Sequence, residues 1–280
     1  MHNTPHGAAV TATGYGLRGP RGWVFRDVGL AAQPGSLIAV EGPSGSGRTC
    51  LLLALTGRMA TTAGTAEVAG LPLPKKKTAV RAVTALAHVP GVTDLEPALT
   101  VAEHLRERTL LQRRFATLSQ LLRGGARSAL PRPRRERTAA ARARIDTALE
   151  AAGLDLATLP KGDRTSIRDL ERPEALRLSI ALALISRPRL LALDDTDMKL
   201  SDDERADLWA TLRSLAESGT TVLAVCSQAP DGAVVVRTTP RGDGRGTEAE
   251  ADTETALGTG TGSRDDEKGA ADALAEAGRA

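Results

Sequence analysis

The stretch EGPSGSGRTCLLLAL, residues Glu41–Leu55, decides the fold of this chain. Its glycines Gly42, Gly45 and Gly47 free the backbone to wrap around an anion, which would meet backbone N–H groups and the N-terminus of a helix. An apolar run, SLIAV, precedes the stretch, and RTCLLLALTGRM continues it with the character of a helix. This order of strand, loop and helix predicts a phosphate-binding loop rather than an ordinary Gly-Ser turn.

The loop matches the pattern G-x-x-x-x-G-K-[ST] with one departure, because Arg48 stands at the lysine. Arginine keeps the positive charge but is wider and planar, so it does not simply replace lysine. Thr49 is predicted to place its hydroxyl on Mg²⁺, and Asp194, which follows the apolar run LLAL, is predicted to supply a carboxylate. Thr49 and Asp194 are therefore the candidate metal ligands. The candidate nucleotide-binding residues of the loop are Gly42, Pro43, Ser44, Gly45, Ser46, Gly47, Arg48 and Thr49.

The composition bounds the class of protein. Hydrophobic residues make up 41% of the 280 residues, so a packed core can form, and aromatic residues at 2% make that core aliphatic. Cys50 and Cys226 show neither metal-ligand spacing nor a disulfide framework, which indicates a reducing compartment. The first residues, MHNTPHGAAVTATG, lack a basic start and an apolar run, so we do not expect them to be a secretory signal, and the longest apolar run is too short to cross a bilayer. We therefore expect any membrane role to act through a partner.

The order of segments across residues 10–240 resembles that of ABC transporter ATPases. GLAAQPGSLIAVEGPSGSGRT is similar to the entry strand and phosphate-binding loop of that family, and LAHVPGVTDLEPALTVAEHL to its Q-loop region. DLERPEALRLSIALALISRPRLLALDDTD resembles its signature helix followed by its Walker B strand. The resemblance implies an α/β fold, a P-loop NTPase of ABC type with a mainly parallel central sheet, an antiparallel β part and an inserted helical subdomain.

The same resemblance implies ligands and partners. ATP and Mg²⁺ are the expected cofactors. The expected partners are a transmembrane permease subunit and a second ABC ATPase subunit, in a homodimer or a heterodimer. The implied location is cytoplasmic and peripheral to the cell membrane through the permease. Nucleic acid is not an expected partner, because the basic part of the chain lacks aromatic stacking platforms.

Shifts in composition predict the domain organisation. We expect an N-terminal extension at 1–9, the ABC-type nucleotide-binding domain at 10–240 with its helical subdomain at about 92–186, and a disordered acidic tail at 241–280. The tail carries five basic and ten acidic side chains. RGGARSALPRPRRERT, residues 123–138, is predicted to be a flexible basic loop. It is interpreted as a solvated segment, with contact to anionic lipid or to the permease as the alternative.

Six departures from the family pattern all bear on hydrolysis. Asp195 is one methylene shorter than the glutamate expected there, which shortens its reach to an attacking water. Residues 170–174 bring negative charge to a segment that in the family binds the nucleotide of the opposite subunit. The replacements are Arg48 at the P-loop lysine, Gly91 at the Q-loop glutamine, LERPE at the LSGGQ signature, Asp195 at the catalytic glutamate, Ser201 at the D-loop aspartate and Ser227 at the switch histidine.

Two aromatic residues are candidates for stacking on the adenine base of the nucleotide. Tyr15 lies about where the family stacks an aromatic ring on adenine, and an ordinary surface tyrosine is the alternative. Trp23 is the rival candidate, although we expect it to pack on the core. His88 and His104 are interpreted as structural or surface histidines, because no metal-binding set forms around either of them.

These observations predict an ATP-binding subunit of an ABC-type membrane transporter. It is expected to bind Mg-nucleotide with weak or lost hydrolysis, and Asp195 is the candidate catalytic residue. One alternative is a soluble P-loop pseudo-ATPase that acts as a regulatory or scaffold module. Another is a P-loop kinase of small molecules, which would not explain the colinear match as far as the last strands.

Overall fold

The computed structural model describes residues 7–122, 134–196 and 199–238. The strands are β1 (Val10–Gly19), β2 (Gly22–Ala32), β3 (Leu37–Glu41), β4 (Ala63–Val68), β5 (Leu71–Leu73), β6 (Thr84–Leu86), β7 (Leu190–Leu193), β8 (Thr221–Cys226) and β9 (Val234–Arg237). The α-helices are α1 (Arg48–Leu55), α2 (Lys77–Val83), α3 (Val101–Leu122), α4 (Arg134–Ala151), α5 (Arg172–Leu184) and α6 (Asp202–Glu217). Three short 3-10 turns connect α4 to α5.

The central sheet has five strands in the order β6-β7-β8-β3-β9, and every neighbouring pair is parallel. A parallel sheet is covered on both faces, so its strands read as continuous apolar runs, as LLAL in β7 and TVLAVC in β8 do. In β3, Leu37 and Ala39 pack into one core while Ile38 and Val40 pack into the other. The parallel sheet expected from the sequence is confirmed.

The second sheet is antiparallel, in the order β2-β1-β4-β5. The pairing of β1 with β2 shifts register between Ala12 and Tyr15, and Gly14 lies between them with a φ of 56°. An extra residue in a strand moves the next side chain to the opposite face. The ring of Tyr15 therefore enters the core, where it is 1% exposed and lies 6.1 Å from the ring of Phe25.

Three α-helices, α3, α4 and α5, lie between β6 and β7 in the sequence. Thr100 caps α3, because its hydroxyl accepts from the backbone N–H of Glu103 at 3.3 Å, and its own N–H donates to the Glu103 carboxylate at 2.8 Å. The expectation of a basic loop at 123–138 is wrong at its end, since α4 already begins at Arg134. Arginine, glutamate and alanine, which fill this segment, are good helix formers even when the run is highly charged. The rest of the expected loop, 123–133, lies outside the described residues.

The start of the chain also differs from expectation. Residues 7–9 belong to the folded body and not to an extension at 1–9. Ala8 is fully buried, and its backbone N–H donates to Oγ1 of Thr221 at 3.0 Å, while that hydroxyl donates to the carbonyl of Ala8 at 2.7 Å. The acidic tail expected at 241–280 lies outside the described residues. Within the described ranges, none of the helices combines the length and apolar character that a bilayer crossing requires.

Candidate functional site

The glycine-rich loop connects β3 to α1 and is shaped by close backbone approach. Gly47 precedes α1 with a φ of 84°, in the left-handed region that favours glycine. A Cβ atom at this position would overlap the carbonyl oxygen of Val24, which lies on β2. The sequence therefore needs glycine here for two reasons, and the loop turns directly into the N-terminus of α1.

The loop packs against Thr238, the residue after the last described strand. The hydroxyl of Ser46 is fully buried and lies 2.6 Å from the hydroxyl of Thr238, which follows β9. A Cβ atom on Gly42 would overlap the same Thr238 side chain. Sequence reasoning missed Thr238, because nothing in the local sequence indicates a contact with a loop 192 residues away.

The two candidate metal ligands meet at the ends of neighbouring elements. Oγ1 of Thr49, in the first turn of α1, donates to Oδ2 of Asp194 at 2.5 Å. Asp194 follows β7, is 5% exposed, and its backbone N–H donates to the carbonyl of His88 at 2.7 Å. A hydroxyl and a carboxylate are hard oxygen donors of the kind that Mg²⁺ takes together with substrate phosphates. The residues present therefore fit Mg²⁺, which would supply charge neutralisation for bound phosphates.

Arg48 extends away from its own loop. Its Nη1 donates to the carbonyl oxygen of Cys226 at 2.7 Å, at the carboxyl end of β8. Strand β8 lies between β7 and β3, and Cys226 is paired with Glu41 in the register of the sheet. The guanidinium consequently spans from the loop to the strand end that leads into Ser227.

These groups surround a single cleft at the carboxyl ends of the parallel strands, where open α/β sheets bind their ligands. The cleft has a volume of about 740 Å³, in the size range of sites for small molecules. Besides the glycine-rich loop, its lining includes Arg48, Thr49, Asp194, Asp195 and Ser227.

Asp195 has an unusual backbone. Its φ is 58°, in the left-handed region that non-glycine residues seldom adopt, and its N–H donates to Oδ1 of Asp194 at 2.9 Å. Non-glycine residues held in this region cluster at functional sites, where the surrounding structure maintains them. Asp195 lines the cleft beside Asp194, so two carboxylates face the space beyond the loop.

A contact between α5 and the segment after β6 was not foreseen from the sequence. Nη2 of Arg172, the first residue of α5, lies 3.3 Å from Nε2 of His88. Burial lowers the pKa of His88, and the positive charge of Arg172 lowers it further. His88 thus links α5 to the strand end that carries Asp194, because its carbonyl accepts from the N–H of Asp194.

The segment LERPE forms a self-capped helix start. The backbone N–H of Glu171 donates to Oε2 of Glu174 at 2.8 Å, and the two glutamates form a capping box around Pro173. The positive end of the helix dipole therefore already has two carboxylates beside it. A phosphate approaching this terminus would meet negative charge and occupied donors.

Two further replaced positions have structural reasons for their residues. Gly91 has a φ of 74°, and its N–H donates to Asp94 at 2.9 Å in a tight turn after β6. Ser201 caps α6, because its hydroxyl accepts from the N–H of Glu204 and Glu204 accepts from the N–H of Ser201. Both residues serve the local backbone where they stand.

Neither aromatic candidate lies where the sequence placed it. Tyr15 is neither a surface residue nor exposed for stacking, since the bulge at Gly14 turns its ring into the core. Trp23 is half-buried and not in the core, with the guanidinium of Arg18 6.0 Å from its ring centre. Of residues 23 and 24, Val24 is the one that lines the cleft.

Comparison with known proteins identifies the family. A family model described as ABC transporter matches residues 25–197. The chain belongs to the ABC transporter family. It is 30% identical over 200 residues to the Nod factor export ATP-binding protein I of Cupriavidus metallidurans, covering 71% of this chain and 56% of that protein. It is 34% identical over 200 residues to ABC transporter G family member 11 of Arabidopsis thaliana, covering 70% of this chain and 25% of that protein.

The chain spans about half the length of the Nod factor export relatives that it matches. Among solved structures, it is similar to a dimeric bacterial ABC transporter cassette, with a TM-score of 0.60, 19% identity, and coverage of 84% of this chain and 97% of that one. A dimeric ATP-binding cassette bound to ADP and Pi in a post-hydrolysis state has a TM-score of 0.57 at 21% identity, covering 78% and 88%. These neighbours establish the ABC ATPase fold that the sequence predicts.

Proposed function

We propose that this chain is an ATP-binding subunit of an ABC-type membrane transporter, which binds Mg-nucleotide and hydrolyses it weakly or not at all. The observation that carries the proposal is the contact of Thr49 with Asp194 beneath a fully formed glycine-rich loop. The residues that we assign to the nucleotide and to Mg²⁺ line the same cleft. The name of the Nod factor export relative describes an ATP-binding protein, and ATP is the nucleotide we assign here.

The replaced positions support weak hydrolysis. Asp195 is the candidate residue for orienting an attacking water, and it is shorter than the glutamate of the family pattern. Ser227, after β8, offers a hydroxyl where that pattern has an imidazole. A positioned general base contributes roughly 10²–10⁴-fold to a rate, so weakening one leaves rare turnover from an enzyme that typically works at about 10 s⁻¹.

The helix start at Glu171 bears on the dimer. In the family pattern, the signature segment meets the nucleotide of the opposite subunit, and here Glu171 and Glu174 occupy the same helix start with carboxylates. A second copy of this chain would then bring two carboxylates to the first copy's nucleotide. We therefore favour a heterodimer, in which an intact partner serves the loop of this chain.

A groove bordered by exposed apolar side chains supports the permease as the membrane partner. Val92, Leu110 and Leu111 are exposed by 54%, 51% and 39%. Val92 and Leu111 line a cavity of about 400 Å³ between α3, α5 and the turn after β6. The same turn contributes Pro90 to the nucleotide cleft. The turn after β6 therefore borders both the groove and the nucleotide cleft. We propose that a cytoplasmic helix of the permease occupies the groove, where it would contact this turn.

Nucleotide binding and ATPase rate on one preparation test the catalytic part of the proposal. We expect the wild-type protein to bind Mg-ATP with negligible turnover. The triple variant Arg48→Lys, Asp195→Glu, Ser227→His is expected to regain part of the rate. Ordinary enzyme turnover by the unmodified chain alone would refute weak hydrolysis, and no nucleotide binding would refute the function as a whole.

Cell fractionation tests the membrane part. A tagged chain in its native cells is expected to sediment with membranes, and Val92→Glu together with Leu111→Glu is expected to release it. Val235→Glu is the matched control, because Val235 is also an exposed apolar residue, at 40%, but lies on β9. A wild-type chain found entirely in the soluble fraction would favour the soluble regulatory module instead.

A further inference from the structure

The guanidinium of Arg48 and the side chain of Ser227 share one end of β8. Arg48 is the first residue of α1, and its guanidinium donates to the carbonyl of Cys226. Cys226 directly precedes Ser227. Both Arg48 and Ser227 line the nucleotide cleft. The guanidinium of Arg48 is therefore held at the carboxyl end of β8. The next residue, Ser227, has a small and exposed side chain.

We infer that Arg48 and Ser227 are a matched pair, in which Arg48 supplies the cation for the terminal phosphate of a nucleoside triphosphate and Ser227 leaves the room for it. This inference rests on the proposed function and names the phosphate that the site reads. Arg48 is then a specificity-determining residue that distinguishes a triphosphate from a diphosphate.

The geometry separates two sets of phosphate donors. The N–H groups of the loop and of the start of α1 would surround the phosphates nearer to the nucleoside. The positions of these N–H groups do not depend on the direction of the Arg48 side chain. Arg48 lies farther on, between the loop and the acidic end of β7, because its anchor is on β8. A phosphate that extends past the loop toward Asp194 and Asp195 meets the guanidinium, and without that cation it would meet two carboxylates.

The chemistry of arginine suits this position. A guanidinium carries five N–H donors in a planar fork, so one N–H can remain on the carbonyl of Cys226 while others face phosphate oxygens. Lysine has a single ammonium group on a flexible stem, so a bond to the same carbonyl would not fix the direction of its other N–H groups. The backbone anchor therefore fixes the charge in place before a nucleotide arrives.

The size of residue 227 completes the argument. A histidine at 227 would bring an imidazole to the strand end that the guanidinium already occupies, and a protonated imidazole would repel it. With lysine at 48, the same imidazole would have room and could offer a donor to the terminal phosphate. The two positions are thus expected to compensate for one another.

A double-mutant cycle on the full chain tests this pairing. The dissociation constants of Mg-ATP and Mg-ADP are measured by calorimetry for wild type, Arg48→Lys, Ser227→His and the double variant. We expect wild type to prefer Mg-ATP, and each single variant to lose roughly tenfold to a hundredfold in Mg-ATP affinity, the value of about one charge-assisted hydrogen bond. Mg-ADP affinity is expected to change less than about threefold, and the double variant is expected to recover most of the loss.

Controls separate this outcome from general damage. Arg213→Lys makes the same chemical change at an arginine on α6 that also donates to a backbone carbonyl, that of Asp231 at 3.4 Å. It is expected to leave both affinities unchanged. Losses that multiply in the double variant, or equal losses for ATP and ADP, would overturn the pairing while leaving nucleotide binding intact. Failure of wild type to bind either nucleotide would instead overturn the proposed function.

Discussion

The hydroxyl of Thr49 and the carboxylate of Asp194 lie 2.5 Å apart, although 145 residues separate them in the sequence. Thr49 lies in the first turn of the helix after the glycine-rich loop, and Asp194 directly follows the parallel strand β7. The contact places two oxygen ligands at the same edge of the sheet, and it is the strongest indication in the fold that the cleft handles a metal-bound phosphate.

The first prediction concerns metal dependence. Asp194→Asn removes the charge that would hold Mg²⁺ and keeps the shape of the side chain. We expect nucleotide affinity in the presence of Mg²⁺ to fall by roughly tenfold or more, and affinity in a chelator to change little. Titration of a fluorescent nucleotide with and without Mg²⁺ measures both. Asp207→Asn, at an exposed position on α6, is the control and is expected to behave like wild type. Equal losses in both conditions would show that Asp194 does not act through the metal.

The second prediction concerns Asp195 and residual turnover. Asp195→Asn preserves the size of the side chain, and asparagine tolerates the positive φ of 58° found here. We expect nucleotide affinity and thermal stability to stay near those of wild type, while any residual hydrolysis falls by roughly 10²-fold or more, because the amide cannot accept a proton from the attacking water and Asp194 is committed to the metal. Single-turnover measurement with radiolabelled ATP detects such slow rates. Unchanged residual hydrolysis in this variant would assign the attacking water to another group.

The third prediction concerns the turn at Gly91. A side chain at this position has open space around it but must adopt a φ of 74°. Gly91→Gln, which would restore the glutamine of the family pattern, is expected to lower the free energy of unfolding by about 1–2 kcal/mol through backbone strain alone. Gly29→Ala is the matched control, because Gly29 also has open space but no positive φ. Urea denaturation compares the two, and a stable Gly91→Gln variant would mean that the turn readily rearranges.

The fourth prediction concerns pH and the start of α6. Hydrogen bonds from the backbone and side chain of Ser201 lower the pKa of Glu204 below its ordinary value of 4.5. A carboxyl group with a lowered pKa in the folded state stabilises the fold above the unfolded pKa and loses this contribution as pH falls through the folded pKa. Wild type should therefore exceed Glu204→Gln in stability near neutral pH, and the gap should close below pH 4.5.

Thermal melts of the two proteins from pH 7 to pH 3 measure this gap. Ser201→Ala should reduce the gap at neutral pH, since the serine hydroxyl is one of the two groups that bond the carboxylate. A gap that persists unchanged at the acid end would contradict the assignment of the stabilising contact to the ionised form of Glu204.

The fold and the loop of this protein could be predicted from its sequence because they rest on local patterns. Each of these features can be recognised from a few consecutive residues: the glycines of the loop, the apolar strand before it and the acid after LLAL. The capped helices at Thr100 and Ser201 are predictable for the same reason, since a cap bonds to residues three positions away.

The rest depended on contacts that sequence spacing does not reveal. Gly14 adds one residue to β1, and this single insertion reverses the side of the sheet on which Tyr15 lies. The partner of Arg48 is a backbone carbonyl, which any residue at position 226 would provide, so no side-chain pattern predicts it. The contact of Arg172 with His88 joins positions 84 residues apart and follows only once α5 has packed beside the sheet.

The hydrogen bond between Ser46 and Thr238 means that the phosphate-binding loop is completed by the far end of the described chain. A truncated protein that stopped at Arg237 would keep every residue of the loop motif and would still lose the hydroxyl on which the loop rests. Thr238 also donates its backbone N–H to the carbonyl of Glu41 at 2.9 Å, so tension applied to the chain beyond Thr238 would reach both Glu41 and Ser46. Whatever is fused, bound or cleaved after that threonine therefore lies next to a residue that holds the glycine-rich loop in place.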